Sequence, residues 1–164
     1  MQVRVGIGQD SHRFLATMGK VCVIGGIEFP EDGLGVAMPG LDADSDGDVI
    51  FHAICNAISS VTGVPILGGI AQEMCKDGRT DSALYLQEAM KTLGKQKVTH
   101  VALTVEARRP RLQAATDKIR ENVAKEMGLA VAQIGMTSTS GDGLTDFGRG
   151  IGIQCLCILT TQEV

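Results

Sequence analysis

Three side chains in the first third of the sequence have the types and spacing of a metal site. Asp10 and His12 form a D-x-H pair, and His52 follows Asp48 by four residues. In an extended segment, residues two apart point to one side of the backbone, so the pair can share a ligand. Two imidazoles and a carboxylate are a common tetrahedral zinc set that leaves one position open. That position suits a ligand oxygen, which the metal polarises.

The spacing alone leaves a plainer interpretation of the histidines open. A lone histidine on an apolar helix is often a hydrogen-bonded core residue instead of a ligand, and His52 fits both descriptions. His100, within V-T-H-V-A, has no acidic or histidine neighbour and is interpreted as structural. Asp48 lies one helical turn before His52 and is predicted to orient its imidazole from outside the ligand set.

Three polar segments have the composition of phosphate-binding sites. The first, Asp44 to Asp48, lacks EF-hand spacing, but Ser45 and the free amides of a following helix can hold a phosphate. The second, Arg108 to Arg111, suits an oligophosphate. The third, Thr137 to Gly143, offers hydroxyls, exposed amides and Asp142, a candidate magnesium ligand. Solvated loops are the alternative interpretation of the first two segments.

Composition limits the class of protein. The chain has 164 residues, of which 44% are hydrophobic and 21% charged, as expected for one globular domain spanning residues 1–164. Its net charge of -4 argues against nucleic-acid and anionic-membrane partners. Five cysteines without a C-x-x-C pair indicate reduced thiols in a cytoplasmic protein. The apolar runs are too short to span a bilayer.

Hydrophobic periodicity predicts alternating strands and helices, and hence an α/β or α+β layer fold. The second helix should follow a Gly-rich connection at Gly68-Gly69, and Asp10 and His12 should lie just past a strand that ends at Gly8. The predicted strands cover residues 3–7, 20–24, 97–105, 131–139 and 150–160, and the predicted helices 48–62, 81–93 and 112–127.

Together these segments resemble the 2-C-methyl-D-erythritol 2,4-cyclodiphosphate synthase family of the non-mevalonate isoprenoid pathway. The resemblance runs from about residue 3 to 160. It is carried by G-I-G-Q-D-S-H-R-F, S-D-G-D-V-I-F-H-A-I, T-D-S, E-A-R-R-P-R-L and T-S-G-D-G-L followed by G-R-G. The pairing of D-x-H with S-D-G-D-x-x-x-H is its most specific part.

The resemblance implies a fold, a reaction and a set of residues. It implies a mixed four-stranded sheet packed on helices, a homotrimer with active sites between neighbours, and conversion of a CDP-linked methylerythritol 2-phosphate into a cyclic diphosphate plus CMP. It implies zinc on Asp10, His12 and His52, and a second metal, magnesium or manganese, helped by Asp142. Ser140 stands where the family has a Thr thought to stabilise the transition state. The residues implied to contact the substrate are Asp44, Ser45, Ala107, Arg109, Pro110, Arg111, Leu112, Thr139, Ser140, Gly141, Asp142 and Arg149.

Several positions depart from the family pattern. Asp44 replaces a His that donates to a phosphate, so its catalytic role is in question, and Gly69 replaces an Asp that binds substrate hydroxyls. Asp142 replaces a Glu, Gly143 a Lys and Ile151 another Glu. Two other functions therefore stay open: a zinc-dependent phosphoester hydrolase, and a non-catalytic trimer that binds CDP or an isoprenoid diphosphate. The family's trimers enclose an apolar channel, with Arg149 near its mouth, in which an isoprenoid diphosphate is a further candidate ligand. A plastid stroma is the alternative location if a transit peptide was removed.

Overall fold

The computed structural model describes residues 2–164 and contains one four-stranded sheet, one two-stranded sheet and four α-helices. The strands are β1 (Val3–Arg13), β2 (Cys22–Ile24), β3 (Ile27–Phe29), β4 (Gln96–Glu106), β5 (Ile134–Thr139) and β6 (Gly152–Glu163). The helices are α1 (Val49–Thr62), α2 (Gly69–Lys76), α3 (Ser82–Lys91) and α4 (Thr116–Met127). Within this part of the chain, no helix combines the length and apolarity needed to cross a membrane.

The large sheet has the order β1-β6-β4-β5 and is mixed, as the resemblance implied. β6 pairs antiparallel with β1 and β4, whereas β4 and β5 are parallel. One face of this sheet packs on α1, in which ten of the 14 residues are buried. Alternation along the strands places Val101, Leu103 and Cys157 in that core, where each is at most 4% exposed.

The opposite face of the sheet, called here the outer face, is also apolar. Val5 and Ile7 of β1 are 64% and 63% exposed, and Leu156 and Ile158 of β6 lie on the neighbouring strand. A contiguous exposed apolar surface of this kind is typical of an interface with another chain.

Two glycines bring β1 into backbone contact with α1. A Cβ atom built on Gly6 would lie 2.2 Å from the carbonyl oxygen of Ala57, and one on Gly8 would lie 2.1 Å from that of Ala53. Only a residue without a side chain fits at these positions. The strand therefore runs directly against the helix.

The structure corrects several element boundaries. β1 continues to Arg13, so Asp10 and His12 lie within the strand and not past its end. α2 occupies a segment that was predicted to be a connection, and residues 131–133 form a 3₁₀ turn instead of the start of a strand. The predicted strand at 20–24 is the short β2, which pairs with the unpredicted β3. The first helix begins and ends as predicted, with Asp48 as N-cap and Gly63 as C-cap.

Candidate metal centre and nucleotide cavity

The strand–helix contact brings Asp10, His12 and His52 together. Asp10 and His12 share the face of β1 that carries Gly6 and Gly8, and His52 lies on the first turn of α1. Asp10 and His12 are partly exposed, whereas His52 is 7% exposed. The site therefore has one buried ligand on the helix and two ligands at the strand edge.

The ligand atoms of the three residues converge. His12 Nε2 lies 2.9 Å and His52 Nδ1 lies 3.1 Å from Asp10 Oδ2, and the two ring nitrogens are 3.3 Å apart. Ligands about 2.0–2.1 Å from a tetrahedral metal are separated by about 3.3–3.4 Å. The three side chains thus fit one metal ion after adjustments of a few tenths of an ångström.

The far nitrogen of each imidazole has a hydrogen-bond partner. His12 Nδ1 lies 3.1 Å from the carbonyl oxygen of Asp42, to which it donates. His52 Nε2 lies 2.8 Å from Ser82 Oγ, and the Ser82 hydroxyl donates in turn to Asp46. In the neutral imidazoles, these contacts favour a proton on the far nitrogen, so that the near nitrogens, His12 Nε2 and His52 Nδ1, can bind a metal ion.

Asp48 does not have the role predicted for it. Its carboxylate accepts hydrogen bonds from four backbone amides, those of Gly25, Gly26, Ile50 and Phe51. The predicted contact with the far nitrogen of His52, Nε2, is made instead by Ser82, whose hydroxyl donates to Asp46. Asp48 acts on His52 only through the main chain, because it caps the helix that carries the imidazole.

The charges at the site favour an ionised carboxylate beside a protonated imidazole when no metal is bound. Burial alone would raise the pKa of Asp10, but hydrogen bonds from His12 and His52 outweigh it and lower the pKa. Burial likewise opposes protonation of His12, yet its bond to Asp10 raises the pKa above the ordinary value. Protons and a metal ion therefore compete for His12.

Lys20 holds the loop that precedes α1. Its ammonium donates to the carbonyl oxygens of Leu41, Ala43 and Ser45 at 2.8, 2.8 and 2.5 Å. The carbonyl of Asp42, between two of these acceptors, faces His12. The ammonium thus fixes the loop that orients one metal ligand.

A cavity of about 510 Å³ adjoins the three ligands. Asp44 and Ser45 line it, as do Gly68, Cys75 and Tyr85. Asp44 is exposed, whereas Ser45 is buried with its hydroxyl 3.4 Å from His52 Nε2. The structure therefore places Asp44 and Ser45, the first two residues of the acidic segment, beside the candidate metal centre.

A second cavity, of about 820 Å³, is called here the nucleotide cavity, after the ligand that the sequence resemblance implied for the residues around it. It lies between the loop after β4 and the loop after β5, which are joined by a hydrogen bond from Ala107 N to the carbonyl of Thr139 at 3.0 Å. Of the substrate residues named from the sequence, seven line it: Ala107, Pro110, Arg111, Leu112, Thr139, Ser140 and Asp142, the last of which is also the candidate second-metal ligand. Asp142 has a φ of 48°.

Three of the substrate residues named from the sequence, Arg109, Gly141 and Arg149, line neither of the two cavities. Gly141 lies in its loop with a φ of 71° and packs against Glu106 and Gly148. The Arg109 guanidinium lies 5.1 Å from the centre of the Phe14 ring, and Arg149 pairs with Asp146 at 2.7 Å. Arg108 lines the cavity instead of Arg109. The sequence does not reveal that Arg108 takes the place of Arg109, because three arginines in one turn do not show which of them faces a ligand.

Comparisons with known proteins agree with this architecture. Residues 3–162 match the model of the YgbB family. The chain is 50% identical over 163 residues to the 2-C-methyl-D-erythritol 2,4-cyclodiphosphate synthase of Chlamydia trachomatis serovar L2, covering 98% of this chain and 88% of that protein. It is 48% identical over 163 residues to the Chlamydia felis protein of the same name, covering 98% and 89%.

A solved structure shows the same fold. The structure of a 2C-methyl-D-erythritol-2,4-cyclodiphosphate synthase in its CDP-bound form superposes with a TM-score of 0.82 at 25% identity, covering 97% of this chain and 100% of that one. On its sequence, its fold and its convergent Asp-His-His cluster, this chain belongs to the YgbB family.

Proposed function

We propose that the chain is a metal-dependent lyase that converts 4-CDP-2-C-methyl-D-erythritol 2-phosphate into 2-C-methyl-D-erythritol 2,4-cyclodiphosphate and CMP. The observation that carries this proposal is the convergence of Asp10, His12 and His52 in a chain 50% identical to a protein named as this synthase. A non-bridging oxygen of the substrate's 2-phosphate attacks the β-phosphorus. The bond from that phosphorus to the oxygen shared by the α- and β-phosphates breaks, and its electron pair leaves on CMP.

The chain's residues bind and orient the substrate in this reaction, and no protein nucleophile is required. In-line phosphoryl transfer depends on positioning and on charge neutralisation. Arg111 and the hydroxyls of Thr139 and Ser140 line the nucleotide cavity, where they can hold the diphosphate, with Ser140 stabilising the transition state. Asp10, His12 and His52 are proposed to hold zinc, and Asp142 to help bind magnesium or manganese with the diphosphate. Bound divalent cations would supply positive charge that polarises the phosphoryl oxygens.

A homotrimer is part of this proposal. In the described residues, the cavity at the metal centre and the nucleotide cavity share no lining residue. A substrate that contacts both the metal ligands and the nucleotide cavity therefore fits a site assembled from two neighbouring subunits. The apolar outer face of the sheet supplies a surface on which copies of the chain can associate. The proposal also includes a central channel in the trimer, with Arg149 near its mouth and an isoprenoid diphosphate as a candidate ligand. The proposed location of the protein is the cytoplasm.

Asp44 is proposed to act without donating a proton. As a carboxylate it repels a phosphate, so the interaction made by the family's histidine falls to other groups. Lys20 lies beneath the same loop, and Ser45 beside it lines the metal-centre cavity with a hydroxyl. We propose that Lys20 supplies positive charge beneath the loop and that Ser45 supplies a hydrogen-bonding hydroxyl in the cavity.

The proposal is tested by incubating the protein with the CDP-linked substrate, zinc and magnesium, and following the products by phosphorus NMR. We expect a cyclic diphosphate and an equal amount of CMP. The His52→Ala variant should lose bound zinc and turnover together, and the Arg79→Ala variant, altered at an exposed surface ion pair, serves as control. A linear product containing oxygen from water would indicate a hydrolase, and CDP binding without turnover a binding protein.

A further inference from the structure

A short turn beside the nucleotide cavity is closed by its own hydrogen bonds. Asp32 N donates to the carbonyl of Val36 at 2.8 Å, and Asp32 Oδ1 accepts from Leu34 N at 2.7 Å and from Val36 N at 3.1 Å. A β-bridge between Glu31 and Ala37 closes the base of the turn. The tip is therefore held in one shape before any ligand arrives.

The same turn is attached to the basic loop of the cavity. Arg111 N donates to the carbonyl of Asp32 at 2.9 Å. Gly33 packs on Arg111, since a Cβ built on Gly33 would lie 3.3 Å from that of Arg111. The position of the turn is thus tied to the loop that lines the cavity.

Leu34, at the tip of the turn, lines the nucleotide cavity and is 64% exposed. The other apolar side chains of the lining are buried: Ala107 and Leu112 are 7% and 4% exposed, and Pro110 is buried as well. The remaining lining includes arginine, serine, threonine and aspartate side chains. Leu34 is accordingly the apolar side chain that the cavity wall leaves available to a ligand.

We propose that Leu34 is an affinity- and specificity-determining residue that packs against the nucleoside of the bound nucleotide. This inference rests on the proposed function, in which the cavity receives a CDP-linked substrate. A nucleotide has an ionic phosphate part and a nucleoside part with apolar faces. The hydroxyls and arginines of the lining can hydrogen-bond to the phosphates. Leu34, exposed at the tip of the ordered turn, can pack against an apolar face of the nucleoside. Because the turn is ordered beforehand, little entropy is lost when the contact forms.

Calorimetric titration of Leu34→Ala with CDP and with inorganic pyrophosphate tests the inference. Loss of a half-buried leucine contact should weaken CDP binding about five- to tenfold. Pyrophosphate, which lacks the nucleoside, should bind as it does to the parent protein. Leu34→Met, which keeps an apolar side chain of similar volume, should bind CDP within about twofold of the parent. Val36→Ala is the matched control, because Val36 belongs to the same turn but does not line the cavity.

Four outcomes decide the question. Weaker CDP binding by Leu34→Ala, with unchanged pyrophosphate binding and an unaffected Val36→Ala, supports the inference. CDP affinity equal to that of the parent overturns it and leaves the proposed function standing. An equal loss in Val36→Ala, or an equal loss for pyrophosphate, also overturns it by showing a general disturbance of the loop. Failure of the parent protein itself to bind CDP would refute the proposed function and the inference with it.

Discussion

Ser82 Oγ lies 2.8 Å from His52 Nε2, and the same hydroxyl donates to the carboxylate of Asp46. This contact joins the N-terminal turn of α3 to the first turn of α1. It selects the His52 tautomer that carries its proton on Nε2. The Nδ1 atom, which faces Asp10 and His12, is then free to bind a metal ion. Ser82 is fully buried, so water does not replace it in this arrangement.

Replacing Ser82 by alanine should weaken metal binding about ten- to hundredfold, because the His52 imidazole loses the acceptor that fixes its tautomer. Ser82→Thr keeps the hydroxyl and should recover much of the affinity. Competition with a chromogenic chelator measures the zinc affinity. Ser60→Ala, on the exposed side of α1, is the control and should match the parent. Equal zinc affinity in Ser82→Ala and the parent would show that the hydroxyl does not orient the ligand.

The outer face of the sheet should be the surface through which copies of the chain associate. Ile7→Asp places a charge among the exposed apolar side chains of this face and should shift the protein to monomers, since burying an unpaired carboxylate is unfavourable. Sedimentation velocity measures the change. Val64→Asp, on the loop after α1, is the control and should keep the parent's assembly. A parent protein that sediments as a monomer, or an Ile7→Asp variant that still sediments as the parent does, would contradict the proposed trimer.

The pair of Asp10 and His12 should make the stability of the metal-free protein depend on pH. The pKa of Asp10 is lowered from 3.8, so its contribution is present above that value and disappears as the pH falls through the lowered pKa. The pKa of His12 is raised from 6.5, so its contribution is complete below 6.5 and disappears as the pH rises through the raised pKa. The pair is therefore most stabilising between these two ordinary values.

Urea unfolding in the presence of a chelator checks this pH dependence. The loss of unfolding free energy in Asp10→Asn should be larger at about pH 5.5 than at about pH 8, by roughly 1 kcal/mol. Asp77→Asn, in an exposed ion pair, should show no such difference. An Asp10→Asn deficit that is the same at both pH values would exclude stabilisation by the ion pair.

Only one of the five cysteines should react readily with a thiol reagent in the folded protein. All five are free, and four are buried. Burial raises the pKa of Cys22 and of Cys157 to about 12, so neither forms the reactive thiolate near neutral pH. Cys75 is partly exposed and lines the metal-centre cavity. A spectrophotometric thiol assay should count one thiol in native protein and five in denaturant. Cys75→Ser should abolish the native signal, and a native count above one would contradict the burial seen here.

Sequence patterns predicted the parts of the fold that depend on local chemistry. The first helix was placed correctly because Asp48 and Gly63 mark its ends. The short α2 was missed because two glycines, Gly68 and Gly69, stand at its start, and glycines favour a turn. The partner of His52 was missed because Ser82 is 30 residues away, and only the packing of α3 on α1 brings it close.

The candidate sites divide in the same way. The residue types and spacing of Asp10, His12 and His52 suggested a common ligand, but their approach depends on a tertiary contact that no local pattern encodes. The sequence also suggested that the loops after β4 and β5 bind phosphate, and the structure joins them around one cavity. Which arginine faces that cavity depends on the path of the turn between Arg108 and Arg111, which composition does not specify.

Gly6 and Gly8 make the distance between β1 and α1 a property of the main chain. Side chains that separate two elements act as spacers, and each change of spacer moves the elements. Here there is no spacer, so substitutions among the surrounding aliphatic residues leave the ligand-bearing backbones where they are. Relatives can therefore diverge extensively in their cores while the dimensions of the metal centre stay constant. Adding one methyl group at Gly8 would push the helix away and change those dimensions without altering any ligand.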